Sequence, residues 1–542
     1  MLHWLSPWCP WIVDGLVYAK PLADSRNHGI WDRNDLGGDN IWRGNQTTGK
    51  PTLASNQSST TGTVRETPFA QALFPVLVLA VLIVYGLIVR PLYFGQTQLP
   101  LEIIFILAAS IAVIHQLLLG YRWLDIQGSI VAKLSMAMPA FLILFSIGLI
   151  IASWIICGTI PMLVYWGLRL INPDWIYLVA FVAPMIFSTL TGTSWGSVGT
   201  IGVVLIGIAG ALEANLGITA GAIIGGAYFG DKMSPLSDTT ILASMATEIS
   251  VYEHIHSMMF TTIPSTLIAG IVYGVLGFLY PPAISGDAMN QLQPFLATLQ
   301  SLFSFNLLLL LPPAIVLWGS LRKLPTVPVL MLSVIVACLL AFLFQGYSVA
   351  NIFQSVYKGF DTAMATWVDG VPKNVSVLLN RGGLYALNDA IITAFMVFIF
   401  IGAIDNIRAM PTVVNGLLGS VKSQRPTIVF GLLATAFTNA MTSNQYATTF
   451  IVGDAFKSKF DELKIPRKVL SRSIEDTGTM IESLIPWTTT SLYMVATLGV
   501  AWADYWHWQL LSLINIVVAF LLALTGIGCF LNRPEDDPPT AK

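Results

Sequence analysis

The run Gly230-Asp231-Lys232-Met233-Ser234-Pro235-Leu236-Ser237-Asp238-Thr239-Thr240 sets two carboxylates, a lysine and four hydroxyls between apolar stretches, Gly217–Phe229 and Ile241–Ala246. Hard oxygen donors of this kind suit small hard cations and protons, not soft metals. Pro235 has no N–H and interrupts any helical ladder that runs through it. Inside a bilayer a broken helix is tolerated where it is buried in protein or lines a wet cavity. A charge at mid-bilayer costs roughly 2.5–3.5 kcal/mol even on the mild insertion scale, so such charges are tied to function. The same residues also suit a plain turn, because Ser-Pro and Ser-Asp are common at turns and helix N-caps. Taken alone, the block reads equally well as a surface loop.

A second region echoes the first. Phe187-Ser188-Thr189-Leu190-Thr191-Gly192-Thr193-Ser194 resembles Phe437-Thr438-Asn439-Ala440-Met441-Thr442-Ser443-Asn444, each closing an apolar span with small polar groups. Pro235 comes 48 residues after Phe187, and Pro486 comes 49 after Phe437. Around the prolines, Met233–Thr239 faces Leu484–Thr490, and Asp231 lies opposite Glu482. Interrupted hydrophobic segments at matching positions in two halves point to a transporter site at the repeat interface. Glu475 and Asp476 follow a basic stretch, where they read either as helix caps or as cation ligands. Asp389 and Asp405 read more simply as caps or as partners of Arg381 and Arg408, and His254 and His256 as residues that cap or flank a helix.

The elements that must hold these groups are membrane helices. The chain has 542 residues, 55% hydrophobic and 10% charged, against about 25% charged in an ordinary globular domain. Apolar spans of roughly 17–25 residues recur along it, so the fold class is an all-α polytopic membrane protein of about 10–13 transmembrane helices. Two inverted repeats, each with a re-entrant hairpin or broken helix, are expected. Residues 1–70 form a polar N-terminal extension, 71–345 the first transport half, and 346–542 the second half with a short polar tail. Residues 346–385 read as amphipathic and loop-like. The basic stretch between Phe450 and Thr477 reads as a loop, cytoplasmic by the positive-inside rule, as does the turn at Arg322 and Lys323. A net charge of −2 implies no nucleic-acid partner. The four cysteines lie far apart and show neither metal-site nor disulfide spacing. Gly44–Lys50 fits the front of a phosphate-binding loop, but Pro51 stands where Ser or Thr should bind magnesium, so ATP hydrolysis is not expected.

The block 230–240 resembles the signature of the NhaC-type sodium/proton antiporters, within the ion transporter superfamily. Further pieces agree in order: Gly158-Thr159-Ile160-Pro161, Thr191–Gly196 with Gly199–Gly202, His254-Ile255 before Thr261–Pro264, Asn380–Leu384, Glu475–Thr479 and Leu484–Trp487. The likeness covers roughly residues 75–530. It departs from the family pattern at Glu482-Ser483, where small residues and proline are usual, and at Thr488, where asparagine is common.

The resemblance implies exchange of sodium for protons across the cytoplasmic membrane. No enzymatic activity and no cofactor are implied, and sodium ions, protons and the lipid bilayer are the partners. A homodimer is compatible with the sequence, which leaves the oligomeric state open. In this reading Asp231 and Asp238 supply the negative charge. Ser234, Thr191, Thr193 and Ser194 supply neutral oxygens from the first repeat. Asn439, Thr442, Asn444 and Glu482 approach from the second, with Glu475 and Asp476 close by. Lys232 or Arg381 would neutralise the carboxylates when the site is empty, or Lys232 would snorkel to the surface. Related exchangers of malate for lactate, or of amino acids, are the alternative. They need a fixed cation for the substrate carboxylate, and Arg381 is the candidate.

Overall fold

The computed structural model describes residues 67–284, 292–368, 370–418 and 421–531. The expectations about residues 1–66, with the phosphate-loop-like stretch, lie outside the described residues. Among the described residues every regular element is helical. Eight helices are long and apolar enough to cross a membrane, or up to ten if two bent pairs count as spans. The upper figure meets the lower end of the 10–13 expected, and the eight straight spans fall short of it for a compositional reason. The helices nearest the two proline breaks, such as Leu216–Met233, carry so much Gly, Thr, Ser and charge that they lose the apolarity of a lipid-facing span.

The site is built by twelve segments. They are α1 (Trp123–Ile156), α2 (Ile176–Thr191), α3 (Ser194–Ala211), α4 (Leu216–Met233), α5 (Asp238–Ala246) and α6 (Val251–Leu279). They continue with α7 (Asn388–Asp405), α8 (Gln424–Thr442), α9 (Gln445–Glu462), α10 (467–482), α11 (Thr489–Leu498) and α12 (Leu510–Thr525). Helices from both halves of the chain interleave, with α7 lying along α1 and along Leu101–Leu118.

The two breaks fall where the prolines required. α4 stops at Met233 and α5 starts at Asp238; α10 stops at Glu482 and α11 starts at Thr489. The repeat is more regular than the residue types suggested. α2 and α8 end at residues 191 and 442, α3 and α9 run 194–211 and 445–462, α4 and α10 begin at 216 and 467, and α5 and α11 begin at 238 and 489. Each pair is 251 positions apart, as are Asp231 and Glu482, and Pro235 and Pro486. The sequence echo was therefore one residue out of register in its first segment. The matching features are the left-handed residues Gly192 (φ 71°) and Ser443 (φ 50°), followed by the N-caps Thr193 and Asn444.

These left-handed corners touch the breaks. A Cβ on Gly192 would lie 2.7 Å from the carbonyl carbon of Leu236, so only glycine fits there. Its counterpart Ser443 meets Trp487, the counterpart of Leu236. Its hydroxyl accepts from Thr489 N at 2.9 Å, and its carbonyl accepts from Thr489 Oγ1 at 2.7 Å. Those bonds offset the cost of a non-glycine residue at positive φ.

Two loop-like expectations and one pairing are corrected. Most of 450–477 is helix, with only residues 463–466 between α9 and α10. Residues 346–385 hold the helices Val349–Lys358 and Lys373–Leu379. Asp405 pairs with Lys133 of α1 at 3.1 Å rather than with Arg408.

Candidate functional site

Asp231 ends α4 one turn before its break and is 6% exposed. Ser237 Oγ donates to its Oδ1 at 3.3 Å, and Thr240 Oγ1 donates to its backbone carbonyl at 2.7 Å. Ser194, at the start of α3, faces the same carboxylate. Glu482, the counterpart in the second repeat, is 8% exposed. It accepts from Gln445 N at 3.1 Å and from Thr490 Oγ1 at 2.8 Å, with Asn439 beside it. Asn439 in turn donates to Gly478 O at 2.8 Å and to Gln445 Oε1 at 2.9 Å, and its own Oδ1 is buried without a partner. Tyr228 lies within electrostatic range of both Asp231 and Glu482, its buried hydroxyl close to Ser483.

Asp238 stands apart from the buried acids. It is exposed at the rim, and the hydroxyl of Tyr446 donates to it. Glu475 is fully buried in a π-helical turn of α10, where Thr479 donates to it and Oε1 has no partner. Asp231 is within electrostatic range of Asp238 and Glu475, and Glu482 within range of Asp238 and Glu475. Buried like charges repel, so leaving this cluster empty and unpaired is costly. Among the described residues no three His, Cys, Asp or Glu side chains are close enough to hold a metal ion.

The remaining expected residues separate into two groups. Asp476 belongs to a different construction. Lys232 Nζ donates to it at 2.5 Å, Thr261 at 2.8 Å and Asn515 at 3.1 Å, with Arg472 Nε at 3.7 Å. Lys232 and Asp476 are 0% and 1% exposed, so Lys232 does not snorkel. It binds the acid of the other repeat. His254, expected to cap or flank a helix, is instead fully buried in the first turn of α6, with Ser471 Oγ 2.5 Å from Nδ1.

Most of the expected neutral oxygens spend themselves locally. Thr191 donates to Phe187 O, Thr193 caps Gly196 N, and Ser234 accepts from Leu236 N inside the break. Thr442 pairs with Thr448, and Asn444 caps Ala447 N. Thr442 and Asn444 also line a cavity of about 30 Å³ that reaches the Lys133–Asp405 pair. Sequence reasoning missed Tyr228, Gln445, Tyr446 and Thr490, and counted Ser237 only among the hydroxyls of the block. Ser237 lies inside the block already singled out, and Gln445 follows the N-cap Asn444 directly. The two tyrosines carry no local signal.

A helical membrane protein with paired broken segments and a buried acid at each break is built as a secondary transporter. Residues 226–527 match the model of the Na+/H+ antiporter family. An uncharacterized Na+/H+ antiporter of Haemophilus influenzae is 38% identical over 86% of this chain and 98% of its own length. The malate-2H+/Na+-lactate antiporter of Bacillus subtilis is 32% identical, over 79% of this chain and 90% of its own. The NhaC Na+/H+ antiporter of Alkalihalophilus pseudofirmus is likewise 32% identical, over 80% and 91%. This chain belongs to the Na+/H+ antiporter family, and it is a multi-pass membrane protein.

Proposed function

We propose that this protein exchanges sodium ions for protons across the bacterial cytoplasmic membrane by alternating access. The observation that carries the reading is the placement of Asp231 and Glu482 at equivalent positions before the two breaks. In this reading Asp231 is the central cation ligand, with Ser194 and Ser237 as neutral oxygens. Glu482, positioned by Gln445, Thr490 and Asn439, closes the site from the second repeat. Asp238 and Tyr446 form its exposed rim, and Glu475 stands behind it. A sodium ion or protons satisfy the carboxylates, but not both at once. The unloaded site leaves ionised groups buried, which opposes the conformational switch, so the two cargoes are exchanged. No cofactor takes part.

Everted membrane vesicles test this. Sodium should collapse a preformed proton gradient with no organic solute present. Asp231→Asn and Asp238→Asn should each abolish that response while the protein remains in the membrane. Full activity in both variants would remove these residues from the mechanism. Collapse only on adding malate, lactate or an amino acid would assign the chain to the organic-solute exchangers.

A further inference from the structure

The loop that opens α2 rests on the bare backbone of α6, where a Cβ on Gly277 would lie 1.8 Å from Asp174 O. Beyond that contact a groove of about 520 Å³ runs between the two helices. Leu178, Val182 and Met185 of α2 form one wall, and Leu267, Ile271 and Val275 of α6 the other, with Gly270 and Gly274 between them. Apart from the indole of Trp175, the one polar side chain in the lining is Thr266, whose hydroxyl already donates to Thr262 O at 2.7 Å. No lysine or arginine lines the groove.

The groove occupies one leaflet. Glu248, just before α6, bonds Lys457 and Arg467, so α6 starts on the basic side of the membrane. The α6 lining runs from Thr266 to Phe278, in the opposite half of the helix. That stretch rises about 18 Å, against roughly 15 Å for one leaflet of the hydrocarbon core. Aromatic rings mark its outer end, as at a membrane interface. Trp175 meets Phe278 edge-on at 5.3 Å, and Tyr280 meets Trp508 at 5.9 Å. A volume of 520 Å³ over that rise is a mean section of about 30 Å². A helix with its side chains is about 10–12 Å across and needs roughly 80–110 Å². One extended hydrocarbon chain, with neighbours at about 3.5–4 Å, needs roughly 15–25 Å². The groove thus fits an acyl chain and is too narrow for a helix of a second copy. Asp174 stands at the aromatic end, partly exposed, and among the described residues no lysine, arginine or histidine pairs with its carboxylate.

We propose that the groove holds one acyl chain of a phospholipid whose headgroup carries a primary ammonium, with that ammonium on the Asp174 carboxylate. The ammonium donates a charge-assisted hydrogen bond there. A quaternary ammonium has no N–H to donate. An anionic headgroup meets a like charge and none of the basic side chains that such headgroups need. The seated chain supplies both walls with dispersion contacts that an open gap forfeits. It braces α2, which ends at the Gly192 corner, against α6, whose Thr261 donates to Asp476.

Native mass spectrometry of the purified full-length protein in detergent tests the assignment. The probes are phosphatidylethanolamine, phosphatidylcholine and phosphatidylglycerol with identical acyl chains, offered in equal amounts. Wild type should retain one phosphatidylethanolamine per chain, favoured about threefold or more over each of the others. The double variant Gly270→Leu with Gly274→Leu should lose the retained lipid. A Cβ at those positions meets only Phe181 at 3.8 Å and Trp175 at 3.6 Å, so the backbone admits leucine and the side chains fill the groove. Asp174→Asn should keep a lipid but lose the preference among headgroups. Asp174 is partly exposed, so this variant tests the headgroup contact even if the double variant does not fold. Equal retention of the three lipids by wild type overturns the proposal, as does an unchanged preference in Asp174→Asn. Lipid retention by the filled groove overturns it too, as does loss of a dimer rather than a lipid in that variant.

Discussion

Asp476→Asn is the most informative single change in the buried core. It removes the acid that matches Lys232 at 2.5 Å and that Arg472 faces at 3.7 Å. Two cations then remain among side chains no more than 2% exposed. Removing one partner of a buried ion pair costs about 3–5 kcal/mol, and here Thr261 and Asn515 also lose an ionised acceptor, so the upper end is expected. Lys232→Met should cost less, because Asp476 keeps both of those donors and Arg472. The double variant Lys232→Met with Asp476→Asn leaves Arg472 bonded to Gly528 O at 2.8 Å and should be more stable than Asp476→Asn alone. Pairs in which both members are replaced are often neutral or stabilising, so the coupling should reach about 2 kcal/mol or more. Equilibrium unfolding of the full-length protein in mixed micelles reads all four proteins. The argument fails if Asp476→Asn is within about 0.5 kcal/mol of wild type. It fails equally if the double variant is no more stable than that single one.

Two further outcomes concern packing and pH. Gly230→Ala should disrupt the crossing of α2 and α4, because its Cβ would stand 2.2 Å from the carbonyl carbon of Ser188. Gly210→Ala, with nothing within 4 Å, should instead stabilise by up to about 1 kcal/mol, and melting curves would separate the two. Glu248, in the turn between α5 and α6, accepts from Lys457 and Arg467, and those bonds hold its carboxyl below the usual value of 4.5. Its contribution to stability should be fully present above that value and fade as acidification carries pH through the folded value. Glu248→Gln should flatten that part of the stability–pH profile, and an unchanged profile would count against the ion network.

The breaks were legible because proline and charge inside an apolar run admit few structures, and Asp231, Glu482, Pro235 and Pro486 all fall where that logic put them. The hydroxyls were less legible. A serine or threonine that caps a helix has the same sequence signature as one that faces an ion, and Thr193, Thr442 and Asn444 satisfy neighbouring groups. Lys232 and Asp476 are 244 residues apart, so nothing local to either announced the pair. The one-residue slip in the echo arose from matching residue types. Backbone conformation sets the register, and it uses glycine at one corner and serine at the other.

Shifted by 251 positions, Lys232 corresponds to Ser483 and Asp476 to Gly225, so the buried ion pair has no twin at the equivalent positions of the repeat. The duplicated architecture thus carries an off-centre ionic contact between its halves. A rocking movement of α4 against α10 that keeps this contact must turn about it. Displacement would then be least at the Lys232–Asp476 pair and would grow toward the rim at Asp238 and Tyr446, making the pair a pivot and the rim a mouth.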